Sequence, residues 1–117
     1  MSGKPTPSAT LHRFAAPMLD VLGTDPKPER LRQALEVAVA IWNAVVLDEW
    51  EETTRYTAAA RGQIVGEYPE LVEVFDGMAE RKREDFPRES WGVTAWSLDR
   101  DEDGAFRLAV EARLRSD

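Results

Sequence analysis

Residues 29–50 read ERLRQALEVAVAIWNAVVLDEW, and the fold turns on how this stretch is read. Between Ala34 and Leu47, 12 of 14 residues are apolar, and the exceptions are Glu36 and Asn43. A buried strand is the rival reading for 37–47, because Val and Ile are frequent there. Length and alanine content favour a helix. A helix apolar on nearly every face must be covered on nearly every face. In one short domain this places residues 29–50 at the centre, with Trp42, Asn43 and Val46 in the core or at a subunit contact. Asn43 is the polar residue of the run. It either fixes register against a second copy, as a buried Asn does in a coiled coil, or bonds a neighbouring backbone carbonyl. The second reading is preferred.

The start of this helix is marked by Thr24 or Asp25 as caps, Pro26 or Pro28 in the first turn, and Glu29 against the dipole. Upstream, residues 1–8 carry Pro5 and Pro7 among small polar residues and read as a disordered tail. Leu11, Phe14, Met18 and Leu22 keep helical spacing, but Pro17 sits among them. A helix either ends near Ala15 or kinks there.

Downstream, Thr53 or Thr54 caps a helix over about 55–67, where Ala58, Gly62 and Gly66 recur every four residues. That stripe suits close approach of another backbone. Pro69 opens a further helix whose buried stripe is Leu71, Phe75, Met78 or Ala79, and Phe86, and Pro87 stops it. The period then changes to two. Phe106, Leu108, Val110, Ala112 and Leu114 alternate with polar or small residues, which is a half-buried strand. Trp91, Val93 and Ala95 share one parity while Trp96 and Leu98 share the other. This switch implies a bulge or a strand buried on both faces. The link 99–104 ends in Asp103-Gly104, a tight-turn pair. The expected fold is therefore α+β: residues 9–117 form one domain, with three to four helices over 9–87 and a β-hairpin over 90–115. A lone hairpin is marginal in water, so it must pack on the helices or pair with another chain.

The 117 residues hold 15 basic and 22 acidic side chains, a net charge of −7, with no Cys and one His. Residues 1–66 carry 7 basic and 8 acidic side chains, and residues 67–117 carry 8 and 14. The acidity thus lies in the C-terminal half. It opposes nucleic acid and anionic membrane and suits a basic partner. Zero Cys excludes thiolate metal sites and cysteine nucleophiles. There is no secretory h-region and no apolar run of membrane-spanning length, so the expected location is cytoplasmic.

Candidate sites are few. Asp99-x-Asp101-x-Asp103-Gly104 begins like a calcium loop, but its twelfth position is Val110, with Glu111 one residue late. A solvated turn is the preferred reading. The carboxylates Asp48, Glu49, Glu51 and Glu52 around Trp50 spread over more than one helix face, as a solvated helix end would. An exposed Trp50 would mark an interface anchor. Arg81-Lys82-Arg83 is enclosed by Glu80, Glu84 and Asp85. The spacings Arg81–Asp85 and Glu84–Arg88 favour pairing on a helix surface over phosphate binding. His12 has no triad partners and reads as an ordinary residue.

No phosphate-binding glycine loop, nucleophile elbow or dinucleotide fingerprint is present. The expectation is a protein without enzymatic activity or cofactor, a small protein-binding module of inhibitor, antitoxin, immunity or adaptor type. Its contact surface is expected at Asp99, Asp101, Glu102 and Asp103, with Trp91, Trp96 and Trp50 nearby. The alternative is a homo-oligomer, most simply a homodimer, that covers helix 34–47 or the hairpin edges. A calcium site at Asp99, Asp101 and Asp103 comes third.

Overall fold

The apolar run is a helix. In a computed structural model, which describes residues 6–21, 27–87, 89–100 and 106–114, helix α2 spans Pro28–Glu51. Lys27 holds the N-cap position with extended backbone and no side-chain cap, and Pro28 opens the first turn. The expected caps Thr24 and Asp25 lie outside the described residues. Proline at the first position needs no N–H and is already set to helical φ, which makes a side-chain cap less necessary. The helix runs one residue past Trp50 and ends where Glu52 adopts φ 51°, with its N–H on the Asp48 carbonyl.

Helix α1 spans Pro7–Val21, so ordered structure begins two residues inside the expected tail. Thr6 explains this, because its Oγ1 accepts from Ala9 N at 3.1 Å. The helix does not end at Ala15. Pro17 lies within it and cannot donate to the carbonyl of Arg13. That carbonyl instead accepts from the Arg81 guanidinium at 2.9 Å, reached from another helix. A tertiary hydrogen bond thus replaces the one proline removes.

Helix α3 spans Arg55–Glu67, and Thr54 stands at its N-cap without a side-chain cap bond. Its free amides are met from α2: the Asp48 carboxylate accepts from Tyr56 N at 2.7 Å and from Thr57 N at 3.0 Å. Among the described residues, Gly62 and Gly66 meet nothing within 4 Å of an added Cβ, so close packing of a backbone does not account for them. A 3₁₀ turn at Pro69–Leu71 leads into α4, Val72–Asp85. Phe75, Met78, Ala79 and Phe86 are all buried, and Leu71 is half-buried.

Strands β1 (Trp91–Arg100) and β2 (Phe106–Leu114) form an antiparallel hairpin. Its register shifts between Val93 and Ala95, so Thr94 is the extra residue. This bulge is the origin of the parity switch: Trp91 and Val93 before it, and Trp96 and Leu98 after it, all turn to the core. The protein is thus a mostly helical α+β domain with four α-helices and a C-terminal hairpin. The core gathers on α2 from α1, α4 and the hairpin, and between Ala34 and Leu47 only Glu36 and Ala40 are exposed.

The hairpin is fastened to α2 by its edge. Asn43 Nδ2 donates to Val93 O at 3.0 Å, and Val93 N donates to Asn43 Oδ1 at 2.7 Å. The side-chain amide completes β1 as a further peptide group would. Trp42 Nε1 donates to Trp91 O at 2.8 Å, and Trp50 Nε1 donates to Ser90 O and Oγ. Asn43 therefore bonds backbone inside its own chain. Asn43→Ala leaves a strand N–H and C=O without partners, at about 1–3 kcal/mol for a buried unsatisfied group. Urea unfolding of this variant is expected to show a loss of about 2 kcal/mol or more with an unchanged slope. A loss under 0.5 kcal/mol would remove Asn43 from this role.

Candidate functional site

Beneath the α2–hairpin seam lies a feature that sequence reasoning missed. Lys82, the middle of the basic triplet, is fully buried rather than on a helix surface. Its Nζ donates to Phe86 O at 2.9 Å and to Glu49 Oε1 at 3.4 Å, and sits 4.7 Å from the centre of the Trp42 ring. Phe14, Trp42 and Phe86 pack edge to face around one another, with centroids 5.1 to 6.1 Å apart. A long aliphatic stem can follow an apolar helix face while its amine finds the free carbonyl at the helix end. The signal in the sequence was the position of Lys82 at the foot of the stripe Phe75–Met78–Ala79, four residues before Phe86. Charge patterning alone assigned it to solvent. The neighbouring Arg81 pairs with Asp85 at 3.0 Å, as its spacing implied. Arg88, the expected partner of Glu84, lies outside the described residues.

Burial lowers the Lys82 pKa from 10.5, and the charges of Glu49 and Glu89 oppose that shift. Between the lowered folded value and the unfolded value, the unfolded chain binds more protons. Stability therefore rises with pH across this window and is lost again as pH falls through the folded value. The amine is enclosed, so the geometry gives it a structural role and no access for a substrate.

Of the four carboxylates near Trp50, Glu49, Glu51 and Glu52 are exposed, as at a solvated helix end, and Asp48 is the exception. Asp48 is only 6% exposed and caps α3. Glu49 meets Lys82, Glu51 meets Arg55 and the Tyr56 hydroxyl, and Glu52 is exposed. Trp50 is half-buried with its N–H on Ser90. Trp91 stacks on Trp42 with centroids 4.6 Å apart. Trp96 is half-buried under the Arg32 guanidinium, 5.9 Å from its centre. Trp42 and Val46 are fully buried. Asp99 is exposed and stands opposite Arg107 in the hairpin. Asp101, Glu102 and Asp103 lie outside the described residues, and so does the cation-loop question. His12 is exposed.

Beside Asp48, Glu49, Glu52 and Arg83 lies a shallow open space of about 610 Å³, and a second, more apolar one lies elsewhere. A groove of about 370 Å³ runs between α1, α2 and the start of α4. Met18, Ala34, Val37, Leu71 and Val74 give it an apolar lining, while Arg30, Gln33, Tyr68 and Glu70 complete the wall. Tyr68 stands among carboxylates. The charge of Glu67 and a hydrogen bond to it raise the phenol above its ordinary value, and Glu36 and Glu70 add to this. Farther along, Glu80 raises Glu84 by like charge and a shared hydrogen bond. The α3–α4 corner is held by Arg61, which donates to both oxygens of Asp76 at 2.7 and 3.1 Å and lowers that carboxyl.

Among the described residues no three metal-binding side chains converge, and no helix is long and apolar enough to cross a membrane. Comparison with protein-family models, with curated proteins and with solved structures finds no match to this chain.

Lys82→Met removes the buried titration. The stability of the wild type relative to this variant is expected to rise as pH increases toward 10.5, read from urea midpoints at several pH values. Parallel curves for the two proteins would show that Lys82 does not titrate differently in the fold.

Proposed function

We propose that the protein is a non-enzymatic binding module, of inhibitor or adaptor type, that receives a basic, apolar-anchored segment of a partner protein in the groove between α1, α2 and α4. The observation that carries this reading is the groove's composition. Its lining is aliphatic, and its Tyr68 edge is ringed by Glu36, Glu67 and Glu70. An apolar floor beside like charges is the complement of an amphipathic segment whose other face is Lys- and Arg-rich. Tyr68 adds a rigid amphipathic ring of the kind that anchors interfaces.

The acidity of residues 67–117 supports the same partner chemistry. The contact moves from the hairpin loop to Glu67, Glu70 and their neighbours. Trp91 and Trp50 spend their polar and aromatic faces inside the chain, which leaves them less to offer a partner.

The probe is a labelled helical peptide with Leu at every third or fourth position and Lys elsewhere. Its anisotropy should rise on binding, and amide shifts should cluster at Met18, Val37, Leu71 and Val74. Glu67→Lys with Glu70→Lys should weaken binding about tenfold, as should raising the salt, because exposed charges are screened. Val74→Glu should abolish it. Shifts that cluster away from the groove, or affinity unchanged by Val74→Glu, would overturn the reading.

A further inference from the structure

The two edges of the hairpin are treated differently. The outer edge of β1 is bonded at its start, over Trp91–Val93, by Trp42 and Asn43, with Trp50 on the preceding Ser90. No hydrogen bond among the described residues reaches the outer edge of β2. Which of its groups face outward follows from the register. Val93 spends its N–H and C=O on Asn43, away from β2, and stands opposite Ala112. In an antiparallel pair, residues opposite each other point their peptide groups alike, and the direction alternates along the strand. Ala112, Val110 and Leu108 therefore direct theirs to the open edge, while Glu111, Ala109 and Arg107 bond β1. The edge has no proline or bulge to blunt it, since the bulge lies on β1.

We propose that this edge pairs with the same edge of a second copy of the chain, antiparallel, about a two-fold axis at Ala109. Outward groups must meet outward groups, so the axis falls on a residue and not between two. With the axis at Ala109, Leu108 stands opposite Val110 of the second copy, and each such pair exchanges both hydrogen bonds. On the exposed face, Arg107 stands opposite Glu111 of the second copy, and the symmetry repeats the pair. Asp99, opposite Arg107 within the chain, extends it to an alternating row of charge across the joint. Ala109 faces its own copy, and its small side chain leaves the axis clear.

Neighbouring registers are disfavoured by the same chemistry. An axis at Val110 places Arg107 against Arg113, and an axis at Glu111 places that carboxylate against itself; like charges directly opposite destabilise a sheet. An axis at Leu108 leaves Arg107 opposite Ala109, without a charge partner. The result is a four-stranded sheet in which the two β2 edges close on one another and the two β1 strands are outermost, each bonded over Trp91–Val93 to its own α2 helix. Closure of this kind is what a two-fold contact requires, and it adds no further free edge. The groove proposed above lies on other elements, so the two readings stand or fall separately.

The absence of Cys permits a direct test of register. Ala109→Cys places two thiols across the axis in a non-hydrogen-bonded pair, about 4.5 Å between Cα atoms, within disulfide reach. The full-length variant at low micromolar concentration under mild oxidation should give a covalent dimer in high yield. Glu111→Cys, two residues off the axis, should give little. By light scattering, the wild type should move from 13.2 kDa toward twice that mass as concentration rises. Glu111→Lys should remain at 13.2 kDa with an unchanged circular dichroism spectrum, since Glu111 is exposed and faces Ala95 within the chain. Adding Arg107→Glu should restore the dimer. A wild type that stays at 13.2 kDa to several hundred micromolar overturns the proposal, as does equal crosslinking at positions 109 and 111.

Discussion

The fold depends on one pair of hydrogen bonds between a helix and a strand edge. Asn43 lies in the most apolar helix of the chain, where an unpartnered amide would cost several kcal/mol. Its two amide atoms meet the two peptide groups of Val93. Each side completes the other: the strand edge lacks a neighbouring strand there, and the asparagine is half-buried on an apolar helix. Their mutual satisfaction sets where the hairpin docks along α2 and which of its edges α2 bonds. A two-residue sheet slip would present Ala95, beyond the bulge, and the pairing would be lost. The indole N–H groups of Trp42 and Trp50 extend the same device to both sides.

Docking the hairpin this way has consequences for the rest of the molecule. It brings Trp91 onto Trp42, and Trp42 in turn roofs the Lys82 amine. Phe14 and Phe86 complete the enclosure from α1 and the end of α4. A similar economy appears at Arg81, whose guanidinium meets the carbonyl left open by Pro17 and the carboxylate of Asp85. In each case a polar group that one element leaves unpaired is completed by a side chain from another. The helical layer is held by these exchanges as much as by apolar burial. What they leave over among the described residues is a groove with carboxylates at its edge and an outer edge of β2 without a hydrogen-bond partner.

Much of the architecture was legible beforehand. The helix over 55–67, the stop at Pro87 and the bulge in β1 follow from periodicity, proline and parity, all local signals. The misreadings share one cause. Lys82 was placed in solvent because its neighbours are charged, yet a helix carries three and four residues apart to the same face, and Lys82 follows Met78 and Ala79 inward. The carboxylate of Asp48 caps a helix that begins seven residues later, across a chain reversal that no spacing rule describes. Capping of α3 by Thr53 or Thr54 was expected from proximity in sequence; Thr53 Oγ1 does accept from Arg55 N, and Asp48 takes the next two amides. The glycines of α3 suggested close packing, but among the described residues nothing lies within 4 Å of an added Cβ at Gly62 or Gly66.

By itself the sequence determined the elements, because a helix or strand is chosen by the period with which apolar residues recur, and that period is written locally. It also determined the centrality of α2, since twelve apolar residues in fourteen must be covered over most of the helix, and only Glu36 and Ala40 of that run stay exposed. It limited the chemistry, because a chain without cysteine and with a single histidine lacks whole classes of site. Only the tertiary structure decided which polar groups meet. Asn43 and Val93 are fifty residues apart, Lys82 and Glu49 thirty-three, Arg81 and Arg13 sixty-eight. A hydrogen bond between such residues depends on the packing of three or four elements at once, and no pattern along the chain encodes that angle. The same packing decided that α2 bonds the β1 edge at Trp91–Val93, while no described residue bonds the outer edge of β2.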